Sequence, residues 1–406
     1  MNTTQFTIHR YTKLALLNLL LVALAGFILR YKILFSLPFI DQKHLLHGHS
    51  HFAFSGWVTH VLMLLLMQYL LKQKNEAVFK KYKWVINANL ITAYGMLISF
   101  PIQGYGLYSI IFSTLSIFVS YVFAYMFWKD LNSLPEKSIS HWWIKAALLF
   151  NILSSVGAFS LAFMMATKTI HQNWYLAAVY FFLHFQYNGW FFFACMGLAS
   201  AAFLYIIPVP VQKKIFWLFA AACIPAYVLS ALWLPIPQWS FALVVLAAFS
   251  QIAGWIIMVQ HIKKRFAQIK PLISKNALWL FALSGIALTI KLLLQLGSVI
   301  PSLSKLAFGF RPIVIGYLHL ILLGVITLFL LAFMMVEKNI QIKPLALTAV
   351  KIFTAGVILN EFLLMLQGIA AISFIALPYI NELLLAAAFI LVSGIFLLNI
   401  SQQKIS

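Results

Sequence analysis

The chain has 406 residues, of which 64% are hydrophobic and 9% are charged. A water-soluble domain of this size carries about 25% charged residues, so the composition excludes a soluble enzyme and leaves side chains that face lipid or one another. The net charge of +21 does not argue for nucleic acid as a partner, because the basic residues fall between long apolar runs and act there as topology signals.

A bilayer core about 30 Å thick is crossed by roughly 20 apolar residues in a helix. Unbroken apolar runs, rather than alternation over about ten residues, select helices over a barrel. Twelve spans are predicted, over 12–36, 46–72, 84–103, 105–128, 142–166, 173–207, 214–234, 239–261, 276–298, 311–335, 346–370 and 376–400. The fold class is therefore an all-α integral membrane protein, read as a single transmembrane domain over 1–406 without a soluble domain. The first run follows a short basic start, lacks a small-residue cleavage pattern and is span-length, so it reads as the first helix. Connections are short and marked by Pro or Gly, as in Pro101–Gly106 and Pro235–Trp239. Of the 28 Lys and Arg residues, 21 fall on one side, Lys404 among them. Six, namely Arg30, Lys32, Lys43, Lys168, Lys305 and Arg311, fall on the other, and Lys291 lies inside a span. The excess marks the cytoplasmic face and puts both termini there. Cys195 and Cys223 lie inside apolar runs without a CxxC pattern and read as packing residues.

Ionisable groups within spans are costly and mark candidate sites. The second span opens with His44, His47, His49 and His51 in HLLHGHSHFAFSGW. The sixth carries His184 in FFLHFQYNGWFFF, and the tenth carries His319 in RPIVIGYLHLILLG. All three spans enter from the outer face, so imidazoles, the ligands of heme iron, copper and zinc, gather in the outer half of the membrane. His47 and His51 share a helix face at i,i+4, while His49 points elsewhere. Each histidine also has a bland reading: solvation at the boundary for the cluster, a satisfied core for His319, and for His184 a polar network with Gln186, Tyr187 and Asn188. Lys291 and Glu361 lie mid-span, as a buried pair or along an ion or proton path. Arg311, about 12 Å before His319 along a helix, is placed either to meet a heme propionate or to snorkel.

These residues resemble subunit I of the heme-copper oxidase superfamily, nearest the nitric oxide reductase and C-type oxidase branches. The resemblance covers nearly the whole chain. It implies a low-spin heme with one axial ligand from the segment His47–Gly56, where His47 matches best and His49 and His51 follow. The family's His-X-His pair on the tenth helix corresponds here to Tyr317-Leu318-His319, with Gly324 beyond it. His319 then takes the low-spin position and Tyr317 stands where the high-spin ligand belongs. His184 with Gly189 resembles the sixth-helix metal ligand of the reductase branch, but Asn188 replaces a glutamate. The turn after the seventh helix corresponds to Pro235-Ile236-Pro237-Gln238-Trp239, and the histidine pair expected near Leu229–Ala231 is missing. The resemblance thus implies a heme-binding electron-transfer or redox-sensing protein with one low-spin heme b and no copper. A second heme on Tyr317 is left open. Expected partners are the lipid bilayer and a redox subunit, cytochrome or quinol, in a bacterial inner membrane. The alternatives are a divergent oxygen or nitric oxide reductase using His184, Tyr187 and Tyr317, and a heme-free metal or solute transporter.

Overall fold

A backbone that finds no hydrogen-bond partner in lipid must bond to itself, and each apolar run accordingly folds as a helix. The computed structural model describes residues 3–169, 171–234, 237–300, 302–304 and 309–403. Pro235 and Ile236 of the predicted turn, and Lys305 and Lys404 of the charge count, lie outside these described residues.

The helices in chain order are α1 (Thr3–Leu34), α2 (Gln42–Gln73), α3 (Ala77–Gln103), α4 (Leu107–Asn132) and α5 (Ile139–Ala166). They continue with α6 (172–202), α7 (Val209–Ala231), α8 (Gln238–Lys264) and α9 (Lys275–Gly297). The last three are α10 (Arg311–Val336), α11 (Pro344–Ile372) and α12 (Ile380–Ser401). No strand occurs among the described residues. Eleven of these helices are long and apolar enough to cross a membrane. The other, α6, is of comparable length, and its apolarity is lowered by His184, Gln186, Tyr187 and Asn188 at its centre. The predicted sixth span ends early, at Ala202, because Phe203 leaves the helical conformation and a short 3-10 turn, Leu204–Ile206, leads to Pro208.

Besides α7, which ends in the 3-10 segment Tyr227–Ala231, three helices are not α-helical throughout. A π-helical turn runs through Ala53–Thr59 of α2, Phe185–Phe191 of α6 and Leu320–Thr327 of α10. Such turns are rare and recur at functional sites. Here the turns in α6 and α10 follow directly on His184 and His319, and the one in α2 begins two residues after His51.

The chain packs as two compact units, residues 1–126 with 330–406 and residues 127–329. In the first unit α1 packs on α2 and α12, and α11 packs along α12. The α11–α12 contact is close because glycine removes the side chain. A Cβ at Gly394 would lie 2.6 Å from Phe353 Cα, and one at Gly356 would lie 3.0 Å from Leu391 N. Small residues at such contacts let helices in lipid gain dispersion contact. Gln68 and Asn339 exchange two amide hydrogen bonds of 2.9 and 2.7 Å in the buried interior of this unit, and Lys72 Nζ meets Glu337 Oε2 at 2.6 Å.

In the second unit α5 packs on α6 and α7, α7 on α8, and α9 on the π turn of α10. Trp143, Phe150, Phe185, Phe192, Phe193, Phe216 and Phe219 interlock there through edge-to-face and tilted rings. The cationic ends of Lys145 and Lys213 sit over Trp128 and Trp142 at 5.1 and 5.5 Å, the amphipathic pairing expected at a membrane surface.

Candidate functional site

In the first unit the histidine cluster begins at a helix cap. Asp41 is the N-cap of α2, its carboxylate accepting the His44 backbone N–H at 2.8 Å. That bond holds the Asp41 carboxyl below its ordinary value of 3.8, since it favours the charged form. His44 lies against Gly104, whose φ of +59° and lack of a side chain make the space; a Cβ there would be 2.6 Å from His44 Cδ2. The helical period keeps His47 and His51 on one face, against Phe100 and Tyr105, and turns His49 to another. His49 faces α1, with Nδ1 3.1 Å from the Val22 carbonyl and its ring seated against Gly26. His51 stacks on Phe100 at 4.4 Å, with Nε2 3.3 Å from the Tyr105 hydroxyl. His47 packs edge-on against Tyr105 at 4.7 Å, and its Nε2 is buried with no hydrogen-bond partner among the described residues. A buried ring nitrogen without a partner is costly, and the Nε2 of a neutral imidazole is a common metal-ligating atom.

The π turn below the cluster is tied from two sides. Widening a helix to i→i+5 disturbs its ladder, and two asparagines take up the carbonyls. Asn18 Nδ2 donates to Gly56 O at 2.6 Å and Asn89 Nδ2 donates to Ser55 O at 3.1 Å. Asn18 Oδ1 accepts from the Tyr94 hydroxyl at 2.6 Å, and the Ser55 hydroxyl donates to His51 O at 2.7 Å. Glu361, half-buried on α11, accepts from Asn360 Nδ2 at 3.1 Å.

In the second unit His184 is 1% exposed and both of its ring nitrogens are engaged. Nε2–H donates to Cys223 O at 2.8 Å, and Nδ1 accepts from Asn188 Nδ2 at 3.1 Å. A metal would have to displace one of these bonds. Gln186 does not join His184, but donates to Asn151 Oδ1 and Ser154 Oγ at 2.9 and 2.8 Å. Tyr187 packs edge-on against Tyr317 at 6.4 Å, so Tyr317 is part of an aromatic pair. His319 places Nδ1 2.8 Å from Ile315 O, one turn earlier on the same helix. Donation from Nδ1–H fixes the tautomer whose lone pair is on Nε2, the arrangement that orients a ligating imidazole. Arg311 is the exposed first residue of α10. Lys291 is 5% exposed and donates to Gln295 Oε1 at 2.6 Å, and Gln295 Nε2 donates to Gln251 Oε1 at 2.9 Å.

Among the described residues no group of three or more His, Cys, Asp or Glu side chains is placed to hold a metal ion. The sequence reading singled out the histidines but not the amides around them: Asn18, Asn89, Gln251 and Gln295. Their signal was available, since each is an amide inside an apolar run. The chain matches no family model and no curated protein sequence.

Proposed function

We propose that this integral membrane protein binds one low-spin b-type heme through histidine and serves in electron transfer or heme and redox sensing, in a bacterial inner membrane. The observation that carries the reading is the buried Nε2 of His47, without a partner among the described residues, on the helix that leads into the π-helical turn Ala53–Thr59. A heme iron is the partner that fits a neutral imidazole in an apolar surround. The resemblance names His319 as the other axial ligand, and its Nδ1 bond to Ile315 O supports the tautomer that role requires.

Bound heme supplies one-electron chemistry, and the chain supplies the setting. Tyr105 holds the His47 ring edge-on, and Asn18 and Asn89 hold the turn that aims the helix above it. His184 is spent on Cys223 and Asn188, which weighs against a reductase centre built on it. The test is a dithionite-reduced minus oxidised spectrum of purified protein made with heme available, with a carbon monoxide difference spectrum. The expected result is a sharp low-spin signal without carbon monoxide binding, lost in His47→Ala and in His319→Ala and kept in His49→Ala. Heme-free protein overturns the proposal, and a carbon monoxide response replaces it with the reductase reading.

A further inference from the structure

Lys291 presents a problem that heme does not solve. An ammonium buried in a membrane unit costs several kcal/mol unless it is paired or neutralised. The second unit contains two carboxylates, Asp130 and Glu136, and both stand where α4 ends and α5 is about to begin. By the alternation of spans this is the side on which α9 starts. Lys291 lies sixteen residues beyond the first residue of α9, about 24 Å along the helix. Neither carboxylate reaches it, and among the described residues the ion pair is Lys72–Glu337.

Beside Lys291 is a small cavity in the same unit. Its water-centre volume is about 20 Å³, and its polar lining is Lys291, Gln251, Tyr187 and Asn188, set among phenylalanine and aliphatic side chains. That volume exceeds the roughly 10–15 Å³ that a water needs. The hydrogen-bond ledger of the lining is one-sided. Gln295 Oε1 is taken by Lys291, and Gln251 Oε1 is taken by Gln295. Asn188 Nδ2 bonds His184 Nδ1. What remains are chiefly donors, the other N–H groups of Lys291 and the Gln251 amide, against one side-chain acceptor of the lining, Asn188 Oδ1, and no carboxylate. Water brings protons of its own and relieves such an excess only in part. A small anion brings none, and makes with Lys291 a pair of zero net charge.

We propose that this cavity binds a monovalent inorganic anion of halide size, held by the Lys291 ammonium and the Gln251 amide, as the fixed counter-ion of the buried lysine. The site is independent of heme. Its apolar wall excludes larger or more strongly hydrated anions such as phosphate and sulfate, so binding is selective by size and by the cost of dehydration.

The test is equilibrium binding of radiolabelled chloride to the purified full chain in detergent, at constant ionic strength with gluconate as replacement. The expected result is saturable binding near one ion per chain, competed by bromide and not by sulfate. It should be lost in Lys291→Met, and lost in Leu288→Phe, which fills the cavity and keeps the lysine. Monodisperse elution shows that each variant is folded, and if Lys291→Met fails this check, Leu288→Phe carries the comparison. Absence of saturable chloride binding by the wild-type chain overturns the proposal, because the cavity then holds water beside a neutral amine. Binding that survives in Leu288→Phe also overturns it, by placing the anion elsewhere.

Discussion

Asn18 is the residue on which the histidine face of α2 depends, and replacing it by Leu tests that dependence. The side chain is fully buried and makes two interhelical hydrogen bonds of 2.6 Å, to Gly56 O and from Tyr94 Oη. Interhelical hydrogen bonds in membrane proteins are worth about 0.6 kcal/mol on average and about 1.7 at most. Losing both therefore costs about 1–3 kcal/mol. At about 2–4 °C per kcal/mol for a segment of this size, Tm falls by about 2–12 °C. Tyr94→Phe removes one of the same two bonds, so the double variant costs less than the sum of the singles by about 0.6 kcal/mol or more. The functional consequence is larger than the energetic one. With Asn89 as its only remaining tie, a turn that closed to an α turn would, by one residue's worth of twist, rotate His47 by about 100°. Thermal unfolding followed by size-exclusion fluorescence reads the first effect, and the low-spin band expected under the heme proposal, per folded protein, reads the second. A Tm within about 1 °C of wild type, additive singles and an unchanged band would together refute the reasoning.

Other expectations follow from the same structure. His184→Ala leaves Cys223 O and Asn188 Nδ2 buried without partners, at about 1–3 kcal/mol, and should lower Tm while leaving any heme band per folded protein intact; a lost band would mark His184 as a ligand. Asp41 titrates below its ordinary 3.8 in the folded chain, so its contribution to the start of α2 is present above that value and is lost as pH falls through the lowered one. Asp41→Asn keeps a capping oxygen and should flatten the stability profile between pH 5 and 3, measured by thermal unfolding; an unchanged profile would assign the acid sensitivity to other groups.

Much of the site was legible in the chain because polar residues stand out against apolar runs. His47, His184, His319 and Lys291 were found in that way. What each does was not legible, because it depends on partners distant in sequence. His184 reads equally as ligand or core residue until Cys223, thirty-nine residues later, is seen to accept its N–H. The four closely spaced histidines of α2 become distinct only when Val22, Phe100 and Tyr105 are packed around them and His47 Nε2 is left over. The π turns are invisible to periodicity, since one extra residue per turn shifts an apolar pattern that is apolar all round.

By itself the sequence determined the helices and their number, because lipid leaves a long apolar run one way to satisfy its backbone. It also fixed which residues would be expensive to bury. Only the tertiary structure decided which of those residues were satisfied. Hydrogen bonding is a matter of ångströms between side chains from different helices, and that information resides in the packing of Asn18 on Gly56, Asn188 on His184 and Gln295 on Lys291.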